Sequence, residues 1–261
     1  MIDLTLIGIG TGNLDHVTLQ AIKAMNTADL ILIPLKGEDK SDLAGLRQQI
    51  FRTCVTNPAT RIDSFDLPER DPGTPDYLRR VNDWHDQIAA VWHTAIERHL
   101  AQGGGPKVAF LVWGDPSLYD STLRIAERLS GQRALHLHVI PGITAIQALC
   151  AAHAIPLNDL AAPVTITTGR QLRESGWPPG AETVVVMLDN GGAFGAIDPE
   201  GVSIWWGAYV GMDRQVLVSG PLEAVAGQIS ETRARIRSEH GWVMDIYLMR
   251  RKSRQSDFPK G

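Results

Sequence analysis

Short apolar, β-forming blocks recur along the first half of the chain, at residues 3–9, 30–35, 107–113 and 135–140, each closed by glycine, proline or charged residues. Blocks of that length bounded by turn formers predict strands. Between them the apolar positions change to three- and four-residue steps, which predict helices. One helix opens at a Thr18 cap and buries Val17, Ala21 and Ala24; a second covers residues 42–53 through Leu43, Leu46 and Ile50. A long third starts from a Thr74 cap with Pro75 at its first position, carries Leu78, Val81, His85, Ile88, Trp92, Ala95 and His99 on one stripe, and stops at glycines 103–105. The fourth, 121–129, turns Ile125 and Leu129 inward, and a fifth, apolar helix runs from PGITA to His153. Residues 36–40 read as a charged turn and 65–75 as an irregular, proline-rich segment. Strands alternating with helices predict a parallel sheet, with KVAFLVW, apolar on both faces after Lys107, at its centre.

Past residue 163 the pattern changes. Strand candidates at 164–168, 183–188, 202–206, 215–219 and 242–249 are separated by short loops and a single helix, 222–237, which predicts a mixed sheet. The proline-bounded turn IPLNDLAAP, 155–163, marks the division. The expected organisation is therefore an α/β protein of two domains, 1–158 and 163–250, with 251–261 as a polar, disordered tail.

Composition narrows the chemistry. A hydrophobic content of 44% over 261 residues supplies a real core, while 21% charged residues and a net charge of −4 leave no basic excess for nucleic acid. An anionic ligand would need a local cluster of arginine or lysine. The apolar runs are too short to span a bilayer and the N-terminus lacks a basic flank, so a cytoplasmic protein without membrane contact is expected. Two cysteines, Cys54 and Cys150, form no disulfide framework, and His136 with His138 marks one face of a strand, so no metal is expected.

The loops carry the distinctive residues. Gly8, Gly10 and Gly12 after the first strand suggest a dinucleotide loop, but Asn13 stands where GxGxxG needs glycine, and the second strand ends in Pro34, Leu35 and Lys36 rather than a ribose-binding acid. An NAD-dependent oxidoreductase is disfavoured on both counts. No GxSxG, HExxH or paired nucleophile is present. Instead two strands end in small-residue turns, WGDPSLY with its Gly-Asp-Pro bend and PGITA, at the sheet edge where α/β proteins bind ligands.

Taken together, GIGTGN (8–13), WGDPSLY (113–119), PGITA (141–145) and MLDN (187–190) resemble the tetrapyrrole methylases, the S-adenosylmethionine-dependent enzymes of corrin and sirohaem biosynthesis. The resemblance covers nearly the whole chain. It implies two α/β domains with the cofactor, S-adenosyl-L-methionine, in the cleft between them. Within the family, DLPERDPGTPDYLRRVNDWHD, IPLND, IWWGAYVGMDRQ and HGWVMD are similar to the branch that methylates ring carbon 1 of precorrin-5 and releases the ring acetyl group as acetate. Carried over by motif, the implied cofactor contacts are Gly8, Gly10, Thr11, Gly12, Trp113, Gly114, Asp115, Leu118, Thr144, Ala145, Met187 and Ala208. Thr11 and Asn13 depart from the family's usual proline and aspartate, and Trp113 from a frequent glycine. For the anionic tetrapyrrole the implied contacts are Lys36, Arg70, Asp115, Tyr119 and Arg170. No catalytic residue is assigned, because the family's acidic residue after strand two is matched here by Pro34. A homodimer is implied as well. Methylation of another ring carbon or of a protein side chain remains open, as does a non-catalytic tetrapyrrole carrier.

Overall fold

Five parallel strands, β1 (Ile2–Gly8), β2 (Leu30–Leu35), β3 (Arg61–Asp66), β4 (Lys107–Val112) and β5 (Leu135–Ile140), form one sheet in the order β3-β2-β4-β1-β5. This is a computed structural model that describes residues 1–35, 41–71, 73 and 76–251. The sheet belongs to the first of two units, Met1–Thr144 and Ala145–Gly261.

Helices cover both faces of the parallel sheet. On one side α1 (Leu19–Thr27) and α2 (Ser41–Cys54) bury Ala21, Met25 and Ile50 against Ile7, Ile31 and Leu111. On the other, α3 (Tyr77–Ala101) and α4 (Thr122–Ser130) bury Ile88, Trp92, Ile125 and Leu129 against Leu4, Leu6 and Phe110. Burial on both faces is why β4 reads as continuous apolar sequence, and Trp92 stacks on Phe110 with ring centres 3.8 Å apart. Thr18 caps α1 as its sequence requires, its hydroxyl accepting from the Ala21 N–H at 3.1 Å.

The structure corrects three local expectations in this unit. The long helix is capped by Asp76, whose carboxylate accepts from the Leu78 and Arg79 N–H groups; Thr74, Pro75 and the expected turn 36–40 lie outside the described residues. Leu78 is 71% exposed, because the buried stripe of α3 begins a turn later and adds Ala89 and Ile96. Strand β3 runs into the segment whose sequence reads as irregular. It is an edge strand with one buried side chain, Phe65, so it shows no apolar run. Its start is fixed by Asn26, whose amide donates to the Ile22 and Cys54 carbonyls while its oxygen accepts from the Thr56 and Asn57 N–H groups.

The second unit is built on a mixed sheet, β6-β7-β10-β8-β9, of β6 (Val164–Thr168), β7 (Thr183–Met187), β8 (Val202–Ala208), β9 (Val216–Pro221) and β10 (Asp245–Arg251). Only β6 and β7 pair in parallel; the other three pairs are antiparallel. Helix α5 (Ala145–His153) packs on β8 and β10, with His153 Nε2 3.0 Å from the Trp206 carbonyl oxygen, and so groups with this sheet. The division between these two units precedes α5. A short α6 (Gly169–Ser175) follows β6, unsignalled by periodicity because it spans under two turns, and α7 (Leu222–His240) covers one face. Arg251 belongs to β10 rather than to the tail. Among the described residues no helix is long and apolar enough to cross a membrane.

Candidate functional site

Three backbone bends meet at the C-terminal ends of β1, β4 and β5. Gly10 and Gly114 exchange hydrogen bonds, Gly10 N–H to Gly114 O at 3.3 Å and Gly114 N–H to Gly10 O at 2.8 Å, which ties the glycine loop to the WGDP turn. Gly142 of the third bend sits so close that a Cβ there would lie 2.0 Å from Gly114 O and 2.8 Å from Gly8 C. A Cβ on Gly8 would lie 2.6 Å from Gly142 N. These two glycines are therefore required by loop-against-loop packing, before any ligand is considered.

Asp115 locks the same junction. One carboxylate oxygen accepts from the Ser117 N–H and hydroxyl, and the other accepts from the Gly142 N–H at 2.9 Å. Burial works to raise its pKa, but the hydrogen bonds from Ser117 and Gly142 outweigh it and hold the carboxyl below its ordinary value. It is consequently a fixed anion and a poor proton acceptor at neutral pH.

The other expected contacts in this unit are placed as follows. Thr11 is buried and its hydroxyl lies 2.8 Å from His16 Nδ1, so the residue that replaces the family's proline staples its own loop. Gly10, Gly12 and Gly114 all have positive φ, and the Gly114 Cβ position has no neighbour nearer than 3.7 Å. Trp113 Nε1 is buried and has no acceptor among the described residues. Leu118 closes the turn onto the Asp115 carbonyl, Tyr119 holds φ +50° and is 44% exposed, and Thr144 is buried at the end of the third bend. Burial raises the Tyr119 pKa, which keeps its hydroxyl protonated.

In the second unit the expected contacts stand at strand ends. Met187 closes β7 and is half-buried, Ala208 closes β8 and has no exposed surface, and Ala145 opens α5. The residues after the two strand ends, Leu188 and Tyr209, hold φ of +53° and +51°. Backbone held in that region by non-glycine residues marks places where the surroundings over-determine the chain, and functional loops are common among them. Beneath MLDN lies a network that motif matching did not reveal. Asp189 accepts from Arg173, the Tyr247 hydroxyl and the Gly191 and Ala193 N–H groups, while Arg233 donates to the Asp189 carbonyl and to Asp245. Burial opposes ionisation of Asp189, yet these donors hold its pKa below the ordinary value.

The expected substrate contacts are scattered. Lys36 lies outside the described residues. Arg70 stacks on Trp84, its guanidinium carbon 4.1 Å from the ring centre, and Arg170 is exposed at the start of α6. Trp206 and Tyr209 are fully buried, Trp206 donating to Asp245 and Tyr209 to the Trp242 carbonyl. One cation was missed: Arg47 of α2. It lies four residues after Leu43 and three before Ile50, on the buried stripe, and that position was the available signal. Among the described residues one group, Asp3 with His136 and His138, brings three possible metal ligands within 4.8 Å of one another, on the partly exposed edge formed by β1 and β5.

The family model of the Tetrapyrrole (Corrin/Porphyrin) Methylases matches residues 3–226 of the chain. A curated relative, precorrin-6A synthase [deacetylating] from Sinorhizobium sp, is 47% identical over 250 residues, covering 95% of each chain. The crystal structure of a cobalamin synthesis related protein (CobF) from Corynebacterium diphtheriae superposes with a TM-score of 0.81 at 40% identity, over 96% of this chain and 99% of that one. Uroporphyrin-III C-methyl transferase from Thermus thermophilus, complexed with S-adenyl homocysteine, shares the fold with a TM-score of 0.58 at 16% identity, over 95% of this chain and 96% of its own.

Proposed function

The chain belongs to the tetrapyrrole methylases, and from that membership we propose that it transfers a methyl group from S-adenosylmethionine to ring carbon 1 of precorrin-5 and releases the ring acetyl group as acetate, giving precorrin-6A. The observation that carries the reading is the near-full-length identity to the deacetylating precorrin-6A synthase, which extends through both units.

Bound S-adenosylmethionine supplies a methyl carbon that is already electrophilic. What remains for the chain is to hold the donor, aim it and keep water away. The bends at 8–12, 113–118 and 142–144 suit that role through their positive-φ backbone at Gly10, Gly12 and Gly114, the open space at Gly114, and an indole N–H on Trp113 that lacks an acceptor among the described residues. The residues present fit the group. Asp115 holds two of these bends together, and Thr144 lies at the third. The same reading takes Ala145, Met187 and Ala208 as contacts in the second unit and Lys36, Arg70, Tyr119 and Arg170 as contacts for the tetrapyrrole carboxylates. It also takes the protein as a cytoplasmic homodimer, for which sedimentation equilibrium at micromolar protein is the test; a single species at the monomer mass rejects it.

Cofactor binding is tested by calorimetry with S-adenosylhomocysteine. Wild type is expected to bind it at micromolar concentration and NAD not at all. Ala145→Trp is expected to lose the binding while keeping the wild-type melting temperature. Valine at Gly114 is a poorer probe, because φ +59° strains any β-branched residue whatever is bound. Undiminished affinity in Ala145→Trp contradicts the placement, and NAD binding without S-adenosylhomocysteine binding contradicts the function.

A further inference from the structure

The parallel sheet is split at its C-terminal edge. Pairing between β2 and β4 ends at Leu32 and Phe110, whereas β2 stays paired with β3 as far as Leu35 and β4 with β1 as far as Val112. The split coincides with the point where the chain leaves adjacent strands in opposite directions, β2 toward β3 and β4 toward β5. In open α/β sheets such a switch point is where ligands enter.

A cavity of about 160 Å³ opens there, walled by Phe65, Trp84, Trp92 and Phe110, with Asp120 and Arg47 at polar positions. Arg47 ties α2 to β4 beside the split: its Nε donates to the Leu111 carbonyl at 3.0 Å and its Nη1 reaches the Leu43 carbonyl of its own helix at 3.5 Å. Its guanidinium carbon lies 5.4 Å from the centre of the Trp113 ring, so it rests on the loop assigned to the methyl donor. Among the described residues no carboxylate forms an ion pair with it. Burial lowers its pKa to about 10, against the opposing charge of Asp120, so it is still a cation at neutral pH. A cation on an apolar wall, with nitrogen donors to spare, suits a group whose oxygen becomes negative during reaction.

We propose that this cavity receives the acetyl group of the tetrapyrrole and that Arg47 donates to its carbonyl oxygen while water adds to the carbonyl carbon. The inference rests on the deacetylating reading above. In the step, the water oxygen bonds to the carbonyl carbon and the bond from that carbon to the ring breaks. Its electron pair stays on the ring carbon, which is left to accept the methyl group; acetate leaves, and the two water protons pass to solvent. Size agrees, since an apolar cavity of about 150 Å³ accommodates a benzene molecule. An acetyl group is half as large in heavy atoms, which leaves room for the attacking water.

The experiment compares full-length wild type, Arg47→Gln and Arg47→Lys with precorrin-5 and S-adenosylmethionine, measuring acetate and S-adenosylhomocysteine in the same samples. Wild type is expected to form them one for one. In Arg47→Gln both are expected to form at least tenfold more slowly, still one for one, with precorrin-5 recovered intact and S-adenosylhomocysteine affinity by calorimetry unchanged, and Arg47→Lys to recover part of the rate. Acetate formed at the wild-type rate in Arg47→Gln, or a loss of S-adenosylhomocysteine affinity that matches the loss of rate, overturns the inference. A wild type that forms neither product overturns the deacetylating reading, and this inference with it.

Discussion

At the scale of single residues, Asp115 acts on loops. The sequence made it a candidate ligand carboxylate, since a Gly-Asp-Pro bend at a sheet edge exposes one. One oxygen accepts from Ser117 inside the same turn, and the other from Gly142, 27 residues on, a pairing that no single motif shows. Asp115→Asn is therefore expected to weaken S-adenosylhomocysteine binding about tenfold, one lost charge-assisted hydrogen bond's worth, by calorimetry. Because the folded pKa lies below the unfolded one, the carboxylate's contribution to stability is complete above about pH 4 and disappears as pH falls through the folded value. The stability gap between wild type and Asp115→Asn in urea melts should accordingly close on acidification below about pH 4; a gap independent of pH contradicts this role. Gly142→Ala is expected to destabilise the fold by about 3 kcal/mol or more, since a Cβ 2.0 Å from a backbone oxygen forces the bends apart. Its melting temperature decides the point, and a value equal to wild type refutes the packing argument.

Elements were legible where burial imposes a period. Strands β2, β5 and β6 have the bounds that their sequence predicts, and β4 differs by one residue; in β2 and β4 two covered faces leave an unbroken apolar block, while the edge strands β5 and β6 are delimited by turn formers at their ends. Where neither an apolar block nor a stripe forms, the signal fails. Strand β3 buries one side chain, and α6 is too short to show a stripe. What places β3 instead is a polar knot: Asn26 at the end of α1 uses both amide ends on the turn that leads into the strand. Asn26→Ala leaves those backbone groups without partners, at a cost of about 2–4 kcal/mol. Chemical denaturation measures it, and a change below about 0.5 kcal/mol shows that β3 is placed by other contacts.

For the whole molecule, the family was legible because four short motifs fall in order on loops at strand ends, and three of those loops carry positive-φ backbone, at Gly10, Gly12, Gly114, Tyr119 and Leu188. What the motifs did not carry is the polar machinery around them: the partners of Asp189 outside MLDN, namely Arg173, Tyr247 and Arg233, and Arg47, whose bond runs to the Leu111 carbonyl. The central claim is a coupled methyl gain and acetyl loss on one substrate. Its most direct measurement is the mass of the product formed from precorrin-5 with S-adenosylmethionine carrying a trideuterated methyl group. The account predicts a product that holds one trideuteromethyl group and lacks the acetyl unit, with free acetate alongside; a product that gains the label and keeps the acetyl unit, or gains no label, contradicts it.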